Sequence, residues 1–388
     1  MEKKILFCAT VDYHFSAFHL PIMKWFKEQG WEVHVAASGQ MTLPYTDKKF
    51  DIPIKRTPFH IANFKAYKEL KEIINENNYT IIHCHTPLGG VLSRLAGRKA
   101  RKSGTKVIYT AHGFHFCKGA PLLNWLIYYP IERFLSRYTD CLITINSQDY
   151  QLAKKHRFPA GNIEYVNGVG VDTDHFKPLD SQTKLQQRKK YGYDKDDFLL
   201  FYAAEFNKNK NQQLLIRALA KVKEEAPKAR LLLAGEGALF KECKDLAQSL
   251  GVAEQVDFLG FRKDIVQLLP ICDLAVGSSY REGLPVNIME AMACGLPVLA
   301  SENRGHSELV KNKLNGFVQD PDDVEQFAAT LKELYESKKL RETLGTNSIS
   351  LVKKFSLPRV KEQLVSIYTR YMVEDNYETE NKHRRSYL

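Results

Sequence analysis

The feature that most constrains this chain is a strict alternation of short β-rich runs with helical stretches, broken once near the middle. In the first half the β-rich runs are KKILFCAT, WEVHVAAS, TIIHCHT, KVIYTAHG and DCLITIN, with amphipathic stretches such as FSAFHLPIMKWFKEQG and NFKAYKELKEIINENN between them. Strands that alternate with helices point to parallel sheets covered on both faces. The pattern breaks at NGVGVDTDHF, followed by a polar linker and an exposed helix over Asp180–Asp197. A second series then begins with FLLFYAAEF and runs through ARLLLAGEG, VDFLGF, DLAVGSS, PVLAS and GFVQD. The expected architecture is α/β, with two Rossmann-like doubly wound domains, 1–175 and 176–357, facing each other across a cleft. A last amphipathic helix, about 358–388, is expected to pack back on the first domain. A chain of 388 residues exceeds what one hydrophobic core usually supports, in keeping with two domains.

Composition narrows the class. The seven cysteines are scattered without zinc or CxxC spacing, so buried thiols in a reducing compartment are expected. No apolar run approaches eighteen residues, and MEKKILFCAT reads as a first strand and not a signal peptide. Of the net charge of +11, +8 falls within residues 1–175. Such a surplus suits nucleic acid, anionic lipid or a phosphorylated acceptor, or is simply a solvated lysine-rich surface. Nucleic acid is not the expected partner.

The segment YREGLPVNIMEAMACGLPV (Tyr280–Val298) carries two glutamates, Glu282 and Glu290, and follows a predicted strand. Pro285 suits the start of a helix and Gly295 its end. The helix start presents free N–H groups suited to a phosphate. Glu290 has Val286, Asn287, Ala293 and Cys294 at its i±3 and i±4 positions and no local cation. A buried, unpaired carboxylate is costly, so Glu290 faces either a hydroxyl-bearing ligand or an arginine from elsewhere. His83 and His85 alternate on one strand and share a face. Metal ligation there needs a third ligand, which sequence spacing does not supply, and no metal or other cofactor is expected. The triplets Asp172–Asp174, Asp194–Asp196 and Asp320–Asp322 lack the strand context of a metal-diphosphate motif.

The Glu-x7-Glu spacing, with GLP inside it and AMACGLPV after, resembles the C-terminal signature of family 4 glycosyltransferases of the GT-B fold. NGVGVDTDHF, LLLAGEG and FLGFRKDI resemble that family's interdomain segment, its GxG turn and its base-side loop. ATVDYHFSAFHLP and TAHGFHFCKGAP resemble the Eps-type enzymes of bacterial exopolysaccharide synthesis. The resemblance implies that Glu282 accepts hydrogen bonds from the donor sugar and Glu290 from the nucleoside ribose. It puts the amides near Gly283 and Leu284, with Lys210, at the diphosphate, and Gly235 and Phe261 in the donor-binding loops. His112 matches a family histidine that meets the donor sugar from the opposite domain, the alternative being a satisfied histidine at a strand end. His14, His19 and His85 are candidates for the acceptor side. The family usually carries Arg five residues before its diphosphate lysine, where this chain has Glu205, with Arg281 or Arg304 as candidate replacements.

The implied activity is a retaining hexosyl transfer by front-face displacement, in which the departing diphosphate takes the acceptor proton. The donor is a UDP-sugar. The acceptor is a lipid-linked glycan of exopolysaccharide or capsule synthesis, met at the cytoplasmic face of the membrane. The Leu- and Tyr-rich Lys118–Tyr138 and the basic Gly89–Gly104 could touch that membrane, or form an interior helix beside a solvated one. Alternatives are a nucleotide-sugar epimerase and a donor-binding but inactive partner subunit.

Overall fold

A computed structural model describes the backbone of residues 3–385, and side chains as far as Met372. The chain divides into two compact units, Met1–Gly170 with Pro358–Leu388, and Val171–Leu357. The first unit contains β1 (Lys4–Val11), β2 (Glu32–Ser38), β3 (Lys48–Asp51), β4 (Ile81–His85), β5 (Lys106–Ala111), β6 (Cys141–Thr144) and β7 (Asn162–Tyr165). They form one sheet in the order β3-β2-β1-β4-β5-β6-β7, with every pair parallel. The second unit contains β8 (Phe198–Ala203), β9 (Ala229–Ala234), β10 (Val256–Gly260), β11 (Leu274–Gly277), β12 (Val298–Ser301) and β13 (Gly316–Gln319). Their order is β10-β9-β8-β11-β12-β13, again all parallel.

Each sheet reverses its winding direction once, between β1 and β4 in the first unit and between β8 and β11 in the second. The crevice beyond the carboxyl ends of strands at such a reversal is where open α/β sheets bind ligands. Residues on β1 alternate faces: Ile5, Phe7 and Ala9 enter one core cluster and Leu6 and Cys8 the other. Burial on both faces explains why the central strands read as continuous apolar runs.

Two strands lie outside the sequence expectation, β3 (KKFD) and β7 (NIEY). Both are edge strands, short and half-exposed, so neither shows the apolar run of a central strand. The stretch expected as one helix at FSAFHLPIMKWFKEQG is two, Tyr13–Phe18 and Leu20–Glu28, with Pro21 in the first turn of the second. His19 sits at the break with φ −120°. The stretch Gly89–Gly104 is also divided, into Pro87–Ala96 and Arg98–Lys102. Its Arg94 is fully buried, forms a two-pronged pair with Glu132 at 3.0 Å and stacks 4.0 Å from the Tyr109 ring centre. Arg188, in the helix Ser181–Lys190 that was expected to be exposed, is likewise buried and bonds Asp273 and the carbonyl of Ile271.

The helix Leu357–Arg385 places Val360, Ile367, Tyr368 and Tyr371 in the same core cluster as Ile5 and Phe7. The Tyr368 hydroxyl bonds His83 Nδ1. Residues 386–388 at the end of the segment expected to be helical lie outside the described residues.

Candidate active site

In the second unit two loops meet beyond the β8–β11 reversal. The loop after β8 ends in Lys210, just before the helix Gln212–Lys221, and the loop after β11 carries Glu282, ahead of the helix Val286–Ala293. Lys210 Nζ stands 2.5 Å from Glu282 Oε1. The loops are stitched together by Tyr280 N to Asn209 O (2.8 Å), Ser278 Oγ to Lys210 O (2.7 Å) and Asn209 Nδ2 to Arg281 O (3.0 Å). Burial alone would raise the Glu282 carboxyl, but the Lys210 charge, His306 and further hydrogen bonds hold it below the usual carboxylate range. Glu282 therefore stays ionised as a fixed acceptor.

The region after β12 closes this loop from behind. A Cβ on Gly305 would come within 2.8 Å of the Glu282 Cβ and 2.9 Å of Pro285 Cδ, so this helix can lie against the motif only with glycine there. Arg304 donates its Nε–H to the Glu282 carbonyl at 3.0 Å. Among the described residues the amides of Gly283 and Leu284 donate to no protein group. They remain available beside the positive end of the following helix.

Glu290 lies about one turn into that helix. Burial raises its carboxyl to about 7, and no cation opposes the rise. The alternative of a distant arginine partner is thus ruled out among the described residues. Gly235 has φ +138°, and a Cβ there would meet the Ala204 carbonyl oxygen at 2.1 Å, so β9 ends pressed against the loop after β8. Phe261 is 69% exposed and Glu205 projects into solvent. Asp172 and Asp320 of the aspartate triplets accept from amides two residues on, which is turn capping.

In the first unit the reversal between β1 and β4 gathers histidines. His14 and His19 follow β1, His85 ends β4 and His112 follows β5. His14 Nε2 and His19 Nε2 are 3.1 Å apart, and His85 Nδ1 and His112 Nε2 are 3.2 Å apart. Burial lowers His14 to about 4 and holds His19, His85 and His112 well below the usual range, so all four are neutral. The fold thus brings His14, His19 and His112 beside His85, which spacing along the chain could not show. His83 stands apart, since Tyr368 and Thr110 take both of its ring nitrogens. Beside His112 opens a largely apolar cavity of about 320 Å³, lined by Leu88, Val91, Phe114 and Ile131. Beside His14 lies a second of about 340 Å³, which includes Arg56 and Thr86.

Residues 183–350 match the family described as Glycosyl transferases group 1, and residues 4–146 match Glycosyl transferase 4-like. EpsD of Bacillus subtilis (strain 168), designated a glycosyltransferase, is 51% identical over 97% of this chain and 99% of its own. This chain belongs to the family 4 glycosyltransferases. An Escherichia coli relative named UDP-Gal:alpha-D-GlcNAc-diphosphoundecaprenol alpha-1,3-galactosyltransferase is 27% identical to the glycosyltransferase over 79% of its chain and 80% of the relative's. The crystal structure of Anabaena HepE in complex with UDP and glucose superposes with a TM-score of 0.78. It is 21% identical and covers 95% of the chain and all of HepE, a likeness of the GT-B fold.

Sequence reasoning about the glycosyltransferase missed His306 and gave Arg304 only as a guess. His306 is fully enclosed, with Nδ1 2.7 Å from the Ser301 carbonyl, and its charge interaction reaches Glu282. Its signal was NRGHS directly after a buried strand, where Asn303 caps the helix Arg304–Leu309. Arg304 touches the main chain of Glu282 through its Nε–H.

Proposed function

We propose that this glycosyltransferase moves a hexose from a UDP-sugar to a lipid-linked glycan acceptor with retention of anomeric configuration, in exopolysaccharide or capsule synthesis. The observation that carries the reading is the Lys210–Glu282 pair beside the unpartnered Gly283 and Leu284 amides. It sets a cation, an acceptor and two donors at one end of a helix whose Glu290 stands unpaired further along. In this reading the diphosphate binds Lys210 and the two amides, Glu282 holds sugar hydroxyls and Glu290 the ribose. Gly235 and Phe261 belong to the loops around the donor. The departing diphosphate receives the acceptor proton, so the protein's task is positioning and stabilising leaving-group charge. No metal is assigned to the donor. His112 acts beside the sugar and His14 borders the acceptor pocket, with the enclosed His19 and His85 behind it. The UDP in HepE and the UDP-Gal and diphosphoundecaprenol in the E. coli enzyme's name support the donor and acceptor classes.

The acceptor side is supported by the surface of the first unit. Phe59, Ile61 and Phe64 are 93%, 85% and 63% exposed, and Leu122, Leu123 and Leu126 are 73%, 63% and 65% exposed. Pro58 and Asn63 from the first segment and Tyr128 and Ile131 from the second border the same cavity. Apolar side chains at such density suit insertion into a bilayer interface, and no described helix is long and apolar enough to cross a membrane. The proposed place of work is the cytoplasmic face.

The test is incubation with a panel of UDP-sugars, with and without a membrane extract, monitoring UDP release and the anomeric configuration of the product. Extract-dependent UDP release with retention bears the proposal out. Interconversion of UDP-sugars without extract would replace it with an epimerase, and binding with neither outcome with an inactive donor-binding partner.

A further inference from the structure

Four histidines from three separate chain segments converge at the winding reversal of the first unit. Each offers one ring nitrogen, and those four atoms lie within 4.8 Å of one another. The His14 Nε2 to His19 Nε2 separation, 3.1 Å, already approaches the edge of a tetrahedron built on metal–nitrogen bonds of about 2.0–2.1 Å, which is roughly 3.3–3.4 Å. His85 is fully buried, and its Nε2 has no hydrogen-bond partner. An orphaned imidazole nitrogen in the interior is expensive, and metal coordination in the cluster gives His85 the second partner that the protein lacks. A cavity of about 20 Å³ borders His19, His83, His85 and His112, on the side of the cluster away from His14's own cavity.

We propose that His14, His19, His85 and His112 together bind one divalent transition-metal ion, with zinc the natural occupant. Imidazole nitrogen suits zinc and, as surrogates, cobalt and nickel. Magnesium and calcium demand oxygen and are excluded by the donor set. His14 stands on the helix that follows β1, His19 at its end, His85 at the end of β4 and His112 directly after β5, so the donors are largely preorganised. Four protein ligands leave no open position, which makes the ion a structural tie that holds the His112 ring in place and not itself a catalyst. It fastens the segment after β1 to the ends of β4 and β5. His83 is not a ligand, because both of its nitrogens are engaged, and instead packs beside His85 with ring centres 4.1 Å apart.

The proposal does not rest on the transferase reading, because metal content is measured without turnover. Untagged protein is stripped with a chelator, titrated with cobalt(II) or zinc, and measured by visible absorption and elemental analysis. One ion per chain is expected, with the intense bands of four-coordinate cobalt. His85→Ala and His19→Ala are expected to bind more than ~100-fold more weakly, while His60→Ala, at an exposed position elsewhere in the unit, keeps one ion. Since an alanine variant could lose metal merely by misfolding, His19→Cys supplies the second arm. It keeps one zinc and adds thiolate-to-cobalt charge transfer to the spectrum. Failure of the parent to take up a stoichiometric ion, or undiminished binding in His85→Ala, overturns the proposal. So does a His19→Cys cobalt spectrum with no sulfur band.

Discussion

Glu290→Gln separates what a residue does for folding from what it does for binding. In the folded chain the Glu290 carboxyl keeps its proton up to about 7, whereas its ordinary value is 4.5. Between those values the native state holds the proton that the unfolded chain has released, so stability falls as pH rises through that window and is flat on either side. Moving a carboxyl from 4.5 to about 7 corresponds to roughly 3 kcal/mol. Glutamine removes that cost. At pH 8 the variant should therefore be more stable than the parent by up to about 3 kcal/mol, and at pH 5 by less than about 1 kcal/mol. For a unit of this size that is a rise of roughly 6–12 °C in melting temperature at pH 8. Thermal melts of both chains at the two pH values test it, read on the transition that UDP raises in the parent. Nucleotide affinity should move the other way, falling about 10–100-fold at pH 8 as charge-assisted bonds to the ribose are lost. In the parent, UDP binding near pH 6.5 should release a proton, visible in calorimetry as heat that varies with the buffer's ionisation enthalpy. A variant that melts with the parent at pH 8, or one equally stabilised at both pH values, would refute the burial argument. Unchanged UDP affinity would refute the ribose assignment.

Glu282→Gln should lose most turnover while circular dichroism and the melting temperature stay close to the parent's, and near-normal activity would remove Glu282 from the site. Arg94→Ala leaves Glu132 buried without its cation and should cost about 3–5 kcal/mol, seen as a large fall in the melting temperature of the first unit. The paired change Arg94→Met with Glu132→Leu should recover much of that loss. Leu122→Ser combined with Leu126→Ser should reduce co-sedimentation with anionic vesicles several-fold while leaving UDP binding unchanged. Gly235→Ala forces a methyl group against the Ala204 carbonyl and requires a backbone angle that alanine resists, so lower stability and weaker UDP binding should appear together.

Much of the fold was written in local pattern. The central strands announced themselves because burial on both faces forces an apolar run, and β3 and β7 escaped because an edge strand has no such requirement. The spacing of Glu282 and Glu290 was legible along one loop and helix, as was Lys210 at its strand-to-helix turn. What the sequence could not show was the pairing of Lys210 with Glu282, seventy-two positions apart, or the tight seat of Gly305 against them. The histidine cluster was harder still. His83 and His85 drew attention as neighbours, but parity along a strand says nothing about what stands opposite. Only the β1-β4-β5 order brings His14, His19 and His112 to His85, while Tyr368, far along the chain, occupies His83. Arg94 and Arg188 read as surface charge because a buried cation differs from a solvated one only through partners remote in sequence.

The helix Leu357–Arg385 has a consequence for how the molecule is made. Tyr368 and Tyr371 complete a core whose other side chains were synthesised first, Ile5 and Phe7 among them. A ribosome delivers the chain from its amino end, and domains generally fold as units during synthesis. Here the earliest strands cannot close their core until the last helix has emerged, while residues 171–357 can finish beforehand. The half that is translated first is thus the half that matures last, and its unfinished apolar face is what a nascent-chain chaperone would meet.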